Sequence, residues 1–309
     1  MTLLFATDFD NPRDWVPALK AEMPELEVRV WPELGNPADI RYALTWNPRP
    51  GLLASLPNLR AIFSLGAGVD GILADPTLPP AIPLVRMVDD SLTEGMVEYV
   101  VWQVLAWHRQ HEPYRAQQRK ALWRPLPQKL ARERRVGVMG LGELGQACAR
   151  ALAALDFDVA GWSRTRKSVD GVDCGAGPKG FDRFLARSEI LVCLLPLTDD
   201  TRGILNAANF ARLPAGAFVI NAARGGHLVE ADLLPALRDG HLAGAALDVF
   251  ADEPLARDHP FWQDPRIAVT PHVASLTHAR TAAKSVAANI RRAEAGEPLD
   301  NLVDRKRGY

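Results

Sequence analysis

The chain has 309 residues, 48% apolar and 24% charged, a composition ordinary for a globular protein and a length sufficient for two domains that each bury a core. A formal net charge of -1 gives no electrostatic case for nucleic acid or a membrane surface as partner. The three cysteines, Cys148, Cys174 and Cys193, lack CxxC spacing, so a reducing compartment and no metal centre are expected. The opening residues show no basic n-region or long apolar h-region, and no run approaches the ~20 apolar residues of a membrane span, so a cytoplasmic location is expected.

Taken in chain order, short apolar runs alternate with helical stretches: LLFA (3–6), EVRVW (27–31), YALTW (42–46), RAIFS (60–64) and IPLVRM (82–87). That alternation predicts a parallel sheet in an α/β domain. The pair Gly66 and Gly68, after RAIFS, lacks the third glycine of a dinucleotide loop. It suits a strand-to-helix turn, or a set of backbone N–H groups able to hold a carboxylate. A helix is expected from Ser91 to about Gln110, with Ser91 and Glu94 at capping-box spacing. The prolyl, basic and aromatic segment Glu112–Leu130 has no clean core-facing period and is expected to reach a neighbouring molecule.

A second series of runs starts at RRVGVMG (134–140) and continues through FDVAGW, ILVCLLP, FVIN, AALDV and IAVT. A final helix is expected over Thr277–Ala295. If it packs back on the first series, the chain crosses twice, near Asp89 and Ser275. The domains are then 1–88 plus 276–309, which would be discontinuous and bind substrate, and 89–275. The predicted fold class is α/β, with two Rossmann-like or flavodoxin-like parallel-sheet domains and an active site in the cleft between them.

Gly140-Leu141-Gly142-Glu143-Leu144-Gly145 fits GxGxxG between the strand RVGVM and the helix LGQACARALAAL. In that context the glycines permit a tight turn and close approach of a pyrophosphate to a helix N-terminus. The strand FDVAGW should then end in an acid that holds the ribose 2'-hydroxyl of NAD. Ser163-Arg164-Thr165-Arg166-Lys167 stands there instead. Hydroxyl donors and cations suit a 2'-phosphate, so NADPH is favoured, with NADH possible.

Three residues lie just past the last runs: Arg224 after FVIN, Glu253 after AALDV and His272 after IAVT. The carboxyl ends of parallel strands share one edge, where such sheets bind ligands. An arginine, a carboxylate and a histidine converging there can hold an anion, tune a proton donor and deliver a proton. His108 and His111, at i, i+3, have no acidic partner set and default to a solvated helix face. His227, His241, His259 and His278 show no evident partner.

The chain resembles the D-2-hydroxyacid dehydrogenases, and within them the glyoxylate/hydroxypyruvate reductase A branch. The matching segments are SLGAGVD (64–70), GLGELG (140–145), WSRTRK (162–167), LLPLTDDT (194–201), NAARG (221–225), LDVFADEP (247–254), TPHVA (270–274) and the closing RGY. The resemblance implies that Arg224 forks onto the carboxylate and keto oxygen of a small 2-oxoacid, and that His272 donates the proton. Glu253 would orient the imidazole and favour its charged form. It places backbone groups of Leu65, Gly66, Ala67, Gly68 and Val69 at the substrate carboxylate and Trp46 in the substrate pocket. Leu195, Pro196, Ala222, Ala223 and Ser275 would line the cofactor, with Asp248 near the nicotinamide amide. It also implies a homodimer formed through the 112–130 arm, with Tyr114, Arg115 and Trp123 reaching the partner. Other members of the family act on D-lactate or phosphoglycerate-type substrates, and corepressors of this fold only sense dinucleotides; the complete Arg–Glu–His set argues against the last.

Overall fold

The computed structural model describes residues 1–309, which separate into two compact units: 1–92 with 276–309, and 93–275. The first crossing falls after Leu92, inside a helix, rather than after residue 88.

Unit 1 carries β1 (Thr2–Ala6), α1 (Pro12–Glu22), β2 (Glu27–Val30), β3 (Ile40–Thr45), β4 (Ala61–Ser64), α2 (Asp70–Leu73) and β5 (Leu84–Val85). The strands form one sheet in the order β2-β1-β3-β4-β5, parallel throughout, which is a flavodoxin-like order. Every residue of β1 is buried, because helices or loops cover both faces and the side chains alternate between them. Phe5 meets Trp15 of α1 on one face at 5.9 Å between ring centroids. Leu4, Ala43 and Ile62 join the core cluster on the other.

α3 (Asp90–His108) begins one residue earlier than the capping box suggested. The reason is Asp89, whose carboxylate accepts the Ser91 amide at 3.0 Å and the Ser91 hydroxyl as well. Asp89 therefore caps the helix, and Ser91 is a donor to that cap. Within 112–130 the structure forms α4 (His111–Arg119), followed by extended chain. Trp123 is 98% exposed, and Leu122 and Leu130 are about half exposed.

Unit 2 continues with β6 (Arg135–Met139), α5 (Glu143–Ala154), β7 (Asp158–Ser163), β8 (Asp173–Ala176), α6 (Gly177–Arg187), β9 (Ile190–Cys193), α7 (Ala207–Phe210), β10 (Ala217–Asn221), α8 (Glu230–Arg238), β11 (Leu242–Leu247) and β12 (Ile267–Val269). Its seven parallel strands are ordered β12-β11-β10-β9-β6-β7-β8. Strand order reverses between β6 and β9, so the ends of those two strands flank the switch point where open sheets bind ligands. The apolar runs split by parity. Ile190, Val192, Phe218 and Ile220 pack towards α3 and α5, whereas Leu191, Cys193 and Val219 pack towards α6 and α8. Trp107 of α3 stacks on Phe218 at 4.5 Å.

α9 (Ala279–Ala295) ends at Gly296, whose φ of 72° is the left-handed cap glycine supplies cheaply. It returns to unit 1, where Glu294 accepts the Tyr42 hydroxyl of β3 at 2.5 Å. No helix is long and apolar enough to cross a membrane.

Candidate active site

The glycine loop opens at the switch point. Gly140 has φ 97°, and a Cβ there would sit 2.6 Å from the Leu194 carbonyl oxygen. That close approach lays the end of β9, with Leu195 and Pro196, beside the loop. A Cβ on Gly145 would lie 1.7 Å from the Gly140 carbonyl oxygen, so α5 can meet the loop only through glycine. A Cβ on Gly142 would meet no atom within 4 Å, and no side chain caps α5 above it. The loop is thus closed on the protein side and open at the helix N-terminus, next to Glu143 and Leu144, which fits a pyrophosphate approaching uncapped amides. Among the nearby basic residues, Arg164 and Arg166 are exposed, as is Thr165. Ser163 differs: it is 8% exposed and its hydroxyl donates to the Thr165 carbonyl at 2.7 Å. That proton braces the turn.

In unit 1, Trp46 and the Gly66–Gly68 loop come together, for a Cβ on Gly66 would be 2.6 Å from the Trp46 ring. The Gly66 amide is taken by Ser64 Oγ at 3.2 Å, and the Leu65 amide by the Thr45 carbonyl at 2.9 Å. Among the backbone groups of Leu65 to Val69, the amides of Leu65 and Gly66 are thus engaged within the loop.

Arg224, Glu253 and His272 follow β10, β11 and β12, three adjacent strands of one sheet. Backbone bonds extend the ladder past the strands: Asp248 donates to the Asn221 carbonyl at 3.0 Å, and His272 to the Asp248 carbonyl at 2.8 Å. The Arg224 turn is shaped by Asn221, wholly buried, which accepts the Ala223 amide at 3.2 Å and donates to the Arg224 carbonyl at 3.0 Å. Ala222 and Ala223 are buried in that turn. Gly225 lets the turn lie on the β11 loop, since a Cβ there would be 1.8 Å from the Phe250 carbonyl carbon. His227, also wholly buried, places Nδ1 3.1 Å from the Arg224 carbonyl and Nε2 3.3 Å from the Pro196 carbonyl.

Glu253 uses both carboxylate oxygens. One accepts the Phe250 amide at 2.9 Å and the other faces His272 Nδ1 at 2.7 Å. Burial pushes the Glu253 pKa up, but the bonds from His272 and Phe250 and the charges of His272 and Arg224 outweigh it and hold the carboxyl below its usual range. The His272–Glu253 side chains remain 31% and 35% exposed. His272 has φ 55°, a left-handed conformation that costs a non-glycine residue of order 1 kcal/mol and persists only where surroundings over-determine it. Asp248, 1% exposed, supplies that constraint. Its Oδ1 accepts the Thr270 hydroxyl at 2.6 Å and the Val273 amide at 2.9 Å, and its Oδ2 accepts the Ala274 amide at 2.8 Å. Ser275, half-buried, follows directly on this loop.

Other histidines found partners that the sequence did not reveal. His108 is 5% exposed and lies edge-on to Phe157 at 5.0 Å, so the solvated-face expectation is corrected. Burial lowers its pKa, and Arg134, Arg109 and Lys129 lower it further. His241 Nε2 contacts the Phe210 carbonyl at 2.8 Å, and His259 accepts the Phe261 amide at 3.3 Å.

A glycine-walled phosphate loop at the switch point, with an arginine and a carboxylate–histidine pair on adjoining strand ends, is the layout of a dinucleotide-dependent dehydrogenase. The family profile described as "D-isomer specific 2-hydroxyacid dehydrogenase, NAD binding domain" matches residues 101–274. Glyoxylate/hydroxypyruvate reductase A of Yersinia enterocolitica is 42% identical over 314 residues, all of both chains, and that of Salmonella newport is 44% identical over 316 residues, again all of both. A Xanthobacter autotrophicus D-isomer specific 2-hydroxyacid dehydrogenase solved with NADPH and MES is 46% identical, with a TM-score of 0.96 over 100% of this chain and 99% of that one. The NADPH-dependent glyoxylate/hydroxypyruvate reductase of Sinorhizobium meliloti, solved with NADP and sulfate, is 44% identical, with a TM-score of 0.95 and the same coverage. The chain belongs to the D-isomer specific 2-hydroxyacid dehydrogenase family.

Proposed function

We propose that this chain reduces small 2-oxoacids, glyoxylate to glycolate and hydroxypyruvate to D-glycerate, with NADPH as the preferred cofactor. The observation that carries the reading is His272 Nδ1 bound to Glu253 at 2.7 Å, beside Arg224, in a chain of this family. NADPH, when bound, supplies the hydride for the keto carbon. Arg224 forks onto the substrate carboxylate and keto oxygen and offsets the negative charge that develops on the latter. With Nδ1 held by Glu253, Nε2 of His272 is the nitrogen assigned to that oxygen, and its proton completes the hydroxyl. Glu253, held below the usual carboxylate range, keeps the negative charge that stabilises the imidazolium before transfer.

The amides of Ala67, Gly68 and Val69 are assigned to the substrate carboxylate, and Trp46 to the pocket wall, a role supported by its contact with Gly66. Arg164 and Arg166 are assigned to the 2'-phosphate. The same reading makes the protein a homodimer assembled through the arm that exposes Trp123, in the cytoplasm, where the buried free thiols of Cys148 and Cys193 persist without pairing.

Initial rates of NADPH and NADH oxidation against glyoxylate, hydroxypyruvate, pyruvate and 2-oxoglutarate test the proposal. Turnover of the first two, fastest with NADPH, is the expected result. A preference for pyruvate or 2-oxoglutarate would keep the mechanism and move the substrate. Tight NADPH binding without turnover would overturn the catalytic reading.

A further inference from the structure

The loop at residues 270–274 that carries His272 is tied to α3 by a chain of hydroxyl groups. Tyr99 of α3 is 7% exposed, and its hydroxyl lies 2.8 Å from Thr270 Oγ1. Thr270 Oγ1 in turn donates to Asp248 Oδ1 at 2.6 Å. A threonine hydroxyl has one proton. Since that proton goes to a carboxylate, which only accepts, Thr270 accepts from Tyr99, the Tyr99 oxygen is left to accept from the amide of Gln103, its other side-chain partner, and the chain runs from Tyr99 through Thr270 to Asp248. Burial pushes the Tyr99 phenol up to about 12, so it keeps its proton across the neutral range. The same Oδ1 also accepts the Val273 amide at 2.9 Å, and the Asp248 carbonyl accepts the His272 amide at 2.8 Å. Asp248 is therefore the post around which the loop turns, and Tyr99 and Thr270 brace the post from the helix side. The ring of Tyr99 is itself fixed, edge-on to Trp102 at 5.8 Å.

We propose that Tyr99 and Thr270 are positioning residues for the reduction, aiming His272 at the keto oxygen by fixing Asp248 and the left-handed turn it frames. The proposal rests on the reading of His272 as proton donor. Neither residue touches the reacting atoms, so each acts only through the geometry of the loop. A small misplacement of a reacting group is costly: about 1 Å can cost roughly 100-fold in rate.

The test is kinetic, made on the full-length protein with NADPH and glyoxylate. Thr270→Val, which keeps the shape and removes the hydroxyl, should lower kcat roughly 10- to 100-fold. KM for glyoxylate and the affinity for NADPH measured by nicotinamide fluorescence should change little. Tyr99→Phe should lower kcat less, and the double variant should be no slower than Thr270→Val alone, because Tyr99 acts through the Thr270 hydroxyl. Thr270→Ser, which restores the hydroxyl, should recover most of the rate. Unchanged kcat in Thr270→Val and Tyr99→Phe would overturn the proposal, as would losses that multiply in the double variant or a Thr270→Ser variant as slow as Thr270→Val. If His272→Asn lowers turnover as expected while Thr270→Val leaves kcat unchanged, the positioning role alone falls. If His272→Asn turns over normally, the proton-donor reading falls first.

Discussion

The turn at residues 163–167 and the loops that carry Arg224, Glu253 and His272 rise from the same sheet, yet they are held in opposite ways. The turn is braced by the Ser163 hydroxyl on the Thr165 carbonyl, and residues 164–167 are exposed. The loops interlock: Asp248 donates to the Asn221 carbonyl, the His272 amide reaches the Asp248 carbonyl, and Gly225 lies where any Cβ would strike the Phe250 backbone. On the proposed function, selectivity for a cofactor rests on exposed side chains that can change one at a time, whereas the chemistry rests on backbone that cannot. Substitutions in the loops should cost much and act together, and those in the turn should cost less and act alone.

The largest effect is expected at the loops. His272→Asn should lower oxoacid reduction roughly 100- to 10,000-fold while leaving NADPH affinity nearly unchanged, as read by steady-state kinetics alongside cofactor titration. Near-normal turnover would remove His272 from its role. Gly225→Ala should destabilise the protein by about 1–3 kcal/mol through overpacking against the Phe250 backbone, measured by denaturant unfolding. It should also lower kcat, since the Arg224 turn must move. An alanine accommodated without loss at either readout would show that the loops are less tightly interlocked than the distances indicate.

Much of this architecture was legible in the chain because the strands of a sheet buried on both faces are continuous apolar runs, as in ILVC and FVIN. β8 (Asp173–Ala176) escaped notice because it is an edge strand of mixed composition, DCGA, with one exposed and three half-buried residues. The positions of Arg224, Glu253 and His272 could be read from their place after three runs, but the parts that hold them could not. Asp248 frames residues 22 to 26 positions away, and nothing in LDVF marks its carboxylate as the post of another loop. His227 is a similar case, since its two partners are backbone carbonyls, which carry no signature of their own in a sequence. Ser91 misled for a local reason: an acid two residues earlier out-competes a hydroxyl for the helix amide.

At the exposed turn the expected effect is smaller and separable. Arg164→Asp should weaken NADPH roughly 10- to 100-fold, the range of a lost charge-assisted contact, and NADH much less. Equal loss for both cofactors would withdraw the 2'-phosphate assignment and leave the basic run a solvated surface.

The smallest effect is on stability rather than on rate and concerns the pair Glu253 and His272, about one third exposed on each side, where solvent screening limits an ion pair to below about 1 kcal/mol. The folded state holds the Glu253 carboxyl below its usual range. A depressed carboxylate pKa means that the unfolded chain binds the proton more readily, so the pair's contribution to stability is complete above the ordinary carboxylate range and disappears as pH falls through the lowered folded value. The difference in melting temperature between wild type and Glu253→Gln should therefore be steady from neutral pH down to the ordinary carboxylate range and close below it. If it widened on acidification instead, the carboxyl would have to be raised in the folded state, burial would outweigh His272 and Arg224, and the carboxylate could not serve as the charged partner of the imidazole.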